Sequence, residues 1–228
     1  MSDSTSLLTA ESSSFLRKAD LRRHFRRQRR KLTHDQQAHN AHALQRNLLR
    51  TLLVMRYQNF ALYCAADGEI NTHAIISKLW EYSKHTALPY LRHRDYSTKA
   101  RMLQMQFAPF TARMSLVRGG YDLLEPAVKH LSTHPPFNAD LIFLPLVAYD
   151  KLGTRLGMGG GYYDRYTSHR RHSKTLRVGL AHSLQESDQP LPRDEWDISL
   201  DAVITEQRAQ AFNTRAHSLL FGTNINNL

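Results

Sequence analysis

Residues 141–165 read LIFLPLVAYDKLGTRLGMGGGYYDR. An apolar run, 141–148, leads into a glycine-rich loop and then into residues that suit a helix from about Gly161. Five of the ten glycines in the chain, Gly153, Gly157, Gly159, Gly160 and Gly161, fall within this stretch. Glycine packs nothing and costs backbone entropy, so a cluster serves either positive φ or the close approach of another molecule. Strand, glycine loop and helix together aim backbone N–H groups and a helix N-terminus at an anion. Arg155 adds a guanidinium able to fork onto phosphate oxygens. A flexible surface loop is the alternative, and the ordered flanks argue against it. The loop is not a Walker loop, which needs Gly-Lys-Ser/Thr. It is not the dinucleotide fingerprint either, because Tyr162 stands where the third glycine after Gly157 and Gly159 belongs.

Around this stretch, the 228 residues, 41% of them hydrophobic, suffice for one sizeable domain. No run approaches membrane-spanning length. The Ser-rich opening MSDSTSLLTAESSS lacks the pattern of a secretory signal and reads as a disordered tail, residues 1–14. The single cysteine, Cys64, excludes an internal disulfide and a cysteine zinc cluster, and fits a reducing, cytoplasmic setting. The net charge is +11, and nine basic residues against one acid, Asp20, lie between Arg17 and Lys31. Such a run invites a nucleic-acid reading. Leu21, Phe25 and Leu32 interrupt it at helical spacing, which favours a helix with one packed and one solvated side. A further option is that only one or two of the cations point at an anionic ligand. Nucleic acid is therefore not the expected partner.

The rest of the chain alternates in type. Residues 16–32 read as a basic amphipathic helix. Thr33 and Gln36 form a capping-box signal for a second helix with Ala41, Leu44, Leu48, Leu52 and Met55 on its apolar face. A strand is expected over 59–66, a turn at Asp67-Gly68-Glu69, and a helix over 72–84 with Ile75, Ile76, Leu79 and Trp80 inward. Strands follow at 86–90, stopped by Pro89, and at 101–107. Residues 108–138 read as irregular. Further strands are expected at 140–145, 176–181 and 200–205, and the polar tail from Glu206 resists assignment. Strands alternating with helices predict a mostly parallel α/β sheet. Its ligands belong beyond the carboxyl ends of the strands. The Glu69 turn, the glycine loop and the segment after Ala181 all follow strands, so they are expected to share one end of the sheet.

With its glycine-tyrosine motif, the stretch 141–165 resembles the 5-formyltetrahydrofolate cyclo-ligases, or methenyltetrahydrofolate synthetases. Lys18-Ala-Asp-Leu-Arg22 resembles the family's N-terminal Lys-x-x-Leu-Arg, Gly68-Glu-Ile-Asn-Thr72 its Glu-Ile-x-Thr turn, and the stretch 200–206 its closing strand. The resemblance covers about residues 16–206. It implies a single-domain, Rossmann-like α/β fold over 15–206, with a polar extension at 207–228. It also implies conversion of 5-formyltetrahydrofolate to 5,10-methenyltetrahydrofolate at the expense of ATP, with a magnesium ion. The formamide oxygen is a poor leaving group, and phosphorylation turns it into phosphate, which N10 then displaces on closing the ring. Phosphoryl transfer asks chiefly for positioning and charge neutralisation.

On this resemblance Arg155 and Tyr162 are the expected catalytic residues. The ATP site is expected to comprise Lys18, Arg22, Arg155, Leu156, Gly157, Met158, Gly159, Gly160, Gly161, Tyr162 and Tyr163. Glu69 and Tyr162 are expected to meet the folate, and Asp164 and Asp201 to hold magnesium. Each residue also has an ordinary role open to it: Lys18 and Arg22 as members of the basic run, Glu69 as a helix cap, Tyr163 as core, Asp164 as a carboxylate favoured at a helix start. Met158 and Gly160 stand where some relatives carry basic residues.

Overall fold

The computed structural model describes residues 3–93, 103–119, 123–127, 137–168 and 174–222. In chain order the first half holds α1 (Asp3–Arg30), α2 (His34–Leu49), α3 (Leu53–Arg56), β1 (Asn59–Ala61), α4 (His73–Glu81), β2 (His85–His93) and β3 (Leu103–Phe110). Then come β4 (Leu116–Arg118), β5 (Leu124–Pro126), β6 (Leu141–Leu144), β7 (Ala148–Asp150), β8 (Arg155–Leu156) and α5 (Tyr162–Ser168). The chain continues with β9 (Leu176–Leu180), β10 (Glu186–Ser187), β11 (Ala202–Ile204), β12 (Ala209–Ala211) and α6 (Thr214–Phe221).

Seven strands form the main sheet in the order β12-β11-β9-β6-β1-β2-β3. The five inner strands run parallel, and β3 and β12 close the two edges antiparallel. Side chains on a strand alternate between faces, and the core divides accordingly. Leu141 and Phe143 of β6 face one apolar cluster with Leu44, Leu48, Ile75, Leu79 and Leu220 from the helices. Ile142 and Leu144 face the other, with Tyr162, Tyr163 and Tyr166 of α5 against it. This is the mostly parallel, helix-flanked sheet expected, in one domain.

Several local expectations need correction. α1 begins at Asp3, so the stretch expected as a tail continues the helix; Leu7, Leu8, Ala10 and Glu11 are favourable helix residues there. The capping box at Thr33 and Gln36 forms, but α2 ends at Leu49. The break resets the phase, so Leu53 and Val54 are buried while Met55 is 79% exposed. Pro89 does not stop β2. It lies past the last β1 partner, at Ala87, so no ladder bond to β1 is lost at its missing N–H. Within the segment expected to be irregular, β4 and β5 form an antiparallel pair. The expected strand start at 101–102 lies outside the described residues.

The glycine loop does not follow the central strand directly. After β6 the chain forms β7 and β8, an antiparallel pair in a separate three-stranded sheet with β10. Gly153 belongs to the β7–β8 turn, at φ +78°. A Cβ there would stand 2.7 Å from the Phe212 ring, so this glycine serves packing rather than a ligand. From Glu206 to Gly222 the tail is part of the fold. β12 pairs with β11, and α6, capped by Asn213, buries Ala216 and Leu220 in the main core.

Candidate functional site

Loops that leave parallel strands at their carboxyl ends gather at one place, as expected. The turn after β1 reaches the segment after β9 through His182, whose Nε2 meets the Gly68 carbonyl at 3.2 Å. Burial lowers the His182 pKa and keeps the ring neutral, with Nδ1 facing the Asn40 amide at 3.0 Å. α1 lies across this end. Its inward stripe is Lys18, Arg22, Phe25 and Arg29, at helical spacing; Lys18, Phe25 and Arg29 are buried and Arg22 is partly so. A helix face normally buries apolar side chains, and here three of the four are cations.

Each of those cations has a place. Lys18 Nζ bonds Asp194 and Asp197, both at 2.7 Å. Arg22 Nε donates to the Gly157 carbonyl at 2.9 Å. Burial lowers the Arg22 pKa, while Asp197 and Asp194 hold it up. Arg29 reaches the turn after β1: Nε donates to the Asp67 carbonyl at 2.9 Å and Nη2 to its carboxylate at 2.9 Å. Arg26 and Arg30 join the same carboxylate, so Asp67 stays ionised, its pKa lowered against its own burial.

The glycine loop lies beside Arg22. Gly159 (φ +100°) and Gly161 (φ +62°) adopt backbone that L side chains rarely take. A Cβ on Gly159 would stand 3.4 Å from the Arg22 guanidinium carbon. Met158, Gly159 and Gly160 are exposed. Among the described residues, nothing accepts a hydrogen bond from their amides. Leu156 differs: its side chain is buried with Phe25 and Val147, so only its backbone faces the loop. Arg155 stands in β8, just before the loop. Its guanidinium is buried, bonded to Asp164 Oδ1 at 2.6 Å and to the Pro145 carbonyl at 3.3 Å. Asp164 is thereby fixed at the loop's far end. The Tyr162 ring lies under the Arg165 guanidinium, 4.9 Å from its centroid.

Glu69 stands in the turn after β1, with 11% of its side chain exposed. Its Oε2 accepts the Ala66 amide at 3.1 Å, and Arg29 Nη1 stands 4.0 Å from Oε1. Burial raises the Glu69 pKa to about 7, against the pull of Arg29. Tyr163 lies within electrostatic reach: burial and Glu69 both raise its pKa, which Arg155 opposes. Tyr163 is therefore within electrostatic reach of both the Glu69 carboxyl and Arg155, which precedes the glycine loop.

Asp201 does not join them. It precedes β11, at the amino end of the parallel strands. Both its oxygens are engaged by Arg177 (2.8 to 3.0 Å) and by Asn213 at 2.7 Å. Here the carboxylate expected to hold magnesium is engaged in tying β9 to the start of α6. Among the described residues, no three His, Cys, Asp or Glu converge to hold a metal by themselves. Sequence reasoning missed Arg29, Asp67, Asp194, Asp197 and His182. The signal for Arg29 was present in its helical register with Lys18 and Arg22.

A buried carboxyl of raised pKa and loop amides with no acceptor among the described residues, both over the carboxyl ends of a parallel sheet, mark a candidate active site. The 5-formyltetrahydrofolate cyclo-ligase family profile matches residues 15–206. The 5-formyltetrahydrofolate cyclo-ligase of Haemophilus influenzae is 34% identical over 184 residues, covering 81% of this chain and 95% of that protein. The Escherichia coli K12 enzyme of the same name is 34% identical over 183 residues, covering 80% and 97%. The solved 5,10-methenyltetrahydrofolate synthetase of Aquifex aeolicus superposes with a TM-score of 0.69 at 27% identity, over 86% of this chain and 93% of that one. The chain belongs to the 5-formyltetrahydrofolate cyclo-ligase family, and is thus a ligase.

Proposed function

We propose that the protein converts 5-formyltetrahydrofolate to 5,10-methenyltetrahydrofolate with MgATP, releasing ADP and phosphate. The observation that carries this is the pairing of open loop amides beside Arg22 with the Glu69 carboxyl across the same end of the sheet. The amides of Met158, Gly159 and Gly160 would receive the nucleotide phosphates, with Arg22 neutralising their charge. Glu69 would accept the pterin's coplanar N–H groups. The tyrosines of α5, Tyr162 and Tyr163, would stand between the two substrates.

The reaction then runs in two displacements. The formyl oxygen attacks the γ-phosphorus, a P–O bond forms, and ADP leaves. N10 attacks the activated formyl carbon and the C–N bond forms. Phosphate leaves with the former formyl oxygen, and the N10 proton passes to solvent or base. The chain contributes position and fixed charge, as phosphoryl transfer requires. Arg155 acts within this scheme through Asp164, by holding its carboxylate at the loop. The donor set suits magnesium, which takes one or two carboxylates plus phosphates. Asp164, together with the nucleotide phosphates, would hold that ion, and it would offset charge on the transferred group. A cytoplasmic setting accords with this reading.

Pure protein mixed with 5-formyltetrahydrofolate and MgATP should form methenyltetrahydrofolate, followed by its absorbance, with one ADP per turnover. Equal product without ATP would contradict the proposal.

A further inference from the structure

We infer that Arg29 is a positioning residue for Glu69, holding the folate-facing turn in place and supplying the positive charge that the carboxyl faces. This rests on the reading of Glu69 as the folate contact. Arg29 is among the largest fully buried side chains of the protein. Burying a guanidinium is tolerable only when its donors are used, and here they are used on two pieces of chain at once, the turn after β1 and the segment after β6. Nε and Nη2 hold Asp67, Nη1 donates to the Leu146 carbonyl at 3.0 Å, and the same Nη1 stands 4.0 Å from Glu69. Anchoring α1 to the turn would not need it, because Arg26 and Arg30 already grip the Asp67 carboxylate. What Arg29 adds is the link from the turn to the chain leaving β6, and a charge directed at Glu69. Asp67 (φ +51°) and Gly68 (φ +76°) curl the turn so that the Asp67 carbonyl and the Glu69 carboxyl meet one guanidinium.

The charged and titratable groups around Glu69 are few. Arg29 and Arg26 face it from α1, Asp67 from its own turn, Tyr63 from beyond β1 and Tyr163 from α5. His182 touches the neighbouring Gly68 carbonyl and is neutral. Burial favours the neutral carboxyl, Arg29 favours the carboxylate, and Asp67 opposes Arg29. Only the carboxylate offers both oxygens as acceptors with no O–H donor between them.

The test is the pH dependence of kcat/KM for 5-formyltetrahydrofolate in wild type, Arg29→Met, Arg29→Lys, Asp67→Asn and Glu69→Gln. An opposite charge at this range moves a carboxyl by one pH unit or more. Arg29→Met should therefore shift the acid limb upward by about one unit, which cuts the carboxylate fraction at pH 7 about fivefold and raises the folate KM to match. The loss should vanish by about pH 9, and the KM for ATP should hold. Arg29→Lys should bring the limb back, even if the variant melts earlier. Should Arg29→Met fail to fold, Asp67→Asn decides, because it should move the limb downward. Glu69→Gln should abolish the limb. A stationary limb in Arg29→Met or Asp67→Asn, with the limb lost in Glu69→Gln, overturns the Arg29 inference alone. A limb that survives in Glu69→Gln overturns the Glu69 reading and the inference with it.

Discussion

At the scale of residues, two glycines of one cluster do different work, and substitution separates them. Alanine at Gly153 meets the Phe212 ring at 2.7 Å and the Leu200 carbonyl at 3.1 Å, on backbone at φ +78°. Gly153→Ala should lower stability by about 2 kcal/mol or more, seen as a fall in Tm, with the ATP KM unchanged in the folded fraction. Gly159 is open to solvent apart from Arg22, but its φ of +100° resists any side chain. Gly159→Val should keep most of the Tm and lose most of the affinity for ATP in a nucleotide titration. Glu69 has its own signature. Its native pKa of about 7 lies above the ordinary carboxyl value of 4.5, so the folded state holds the extra proton between those values. Its contribution to stability is therefore complete below about pH 4.5 and lost as pH rises through 7. Glu69→Gln should flatten that part of the Tm–pH curve. Composition alone made the glycine cluster visible, and order in the chain made Glu69 visible. The division of labour between Gly153 and Gly159 was not, because it depends on Phe212, distant in sequence. The setting of Asp201 was hidden for the same reason: its partners Arg177 and Asn213 become neighbours only when β9, β11 and α6 are assembled.

At the scale of elements, α1 decides how the site is charged. Five of its cations, Lys18, Arg22, Arg26, Arg29 and Arg30, are spent on Asp194, Asp197, Gly157 and Asp67. The helical register of the basic run was legible, with Leu21 and Phe25 marking its packed side. That the packed side would also carry Lys18, Arg22 and Arg29 was not, since burial of a cation follows from acids and carbonyls far along the chain. Arg22→Ala removes a charge-assisted bond to the glycine loop. At about 1.5 kcal/mol or more for such a bond, the KM for ATP should rise about tenfold or more, while the folate KM stays within about twofold. Parallel titrations of the two substrates check this, and an equal rise in both would mean that α1 had come loose from the sheet end. The sheet itself was legible from the apolar runs at 141–144, 176–180 and 202–204. The β7–β8 excursion was not, because 141–148 reads as one apolar run in which a single strand is expected to Pro145, and only the antiparallel pairing of Ala148 with Leu156 gives its end to a second strand.

For the whole molecule, the claim is that one end of one sheet holds both substrates and passes a phosphoryl group between them. The sheet is completed by its last residues: β12 closes an edge, and α6 buries Ala216 and Leu220. A chain ending at residue 206 should therefore unfold at markedly lower temperature than one ending at 222, although the family match ends at 206. The most direct test of the chemistry follows one atom. 5-Formyltetrahydrofolate carrying oxygen-18 in its formyl group is turned over with unlabelled MgATP, and the phosphate released is analysed by mass. Transfer of the formyl oxygen into inorganic phosphate, one labelled oxygen per phosphate, is the expected result. Phosphate without the label, alongside normal formation of methenyltetrahydrofolate, would contradict phosphorylation of the formyl oxygen at this site.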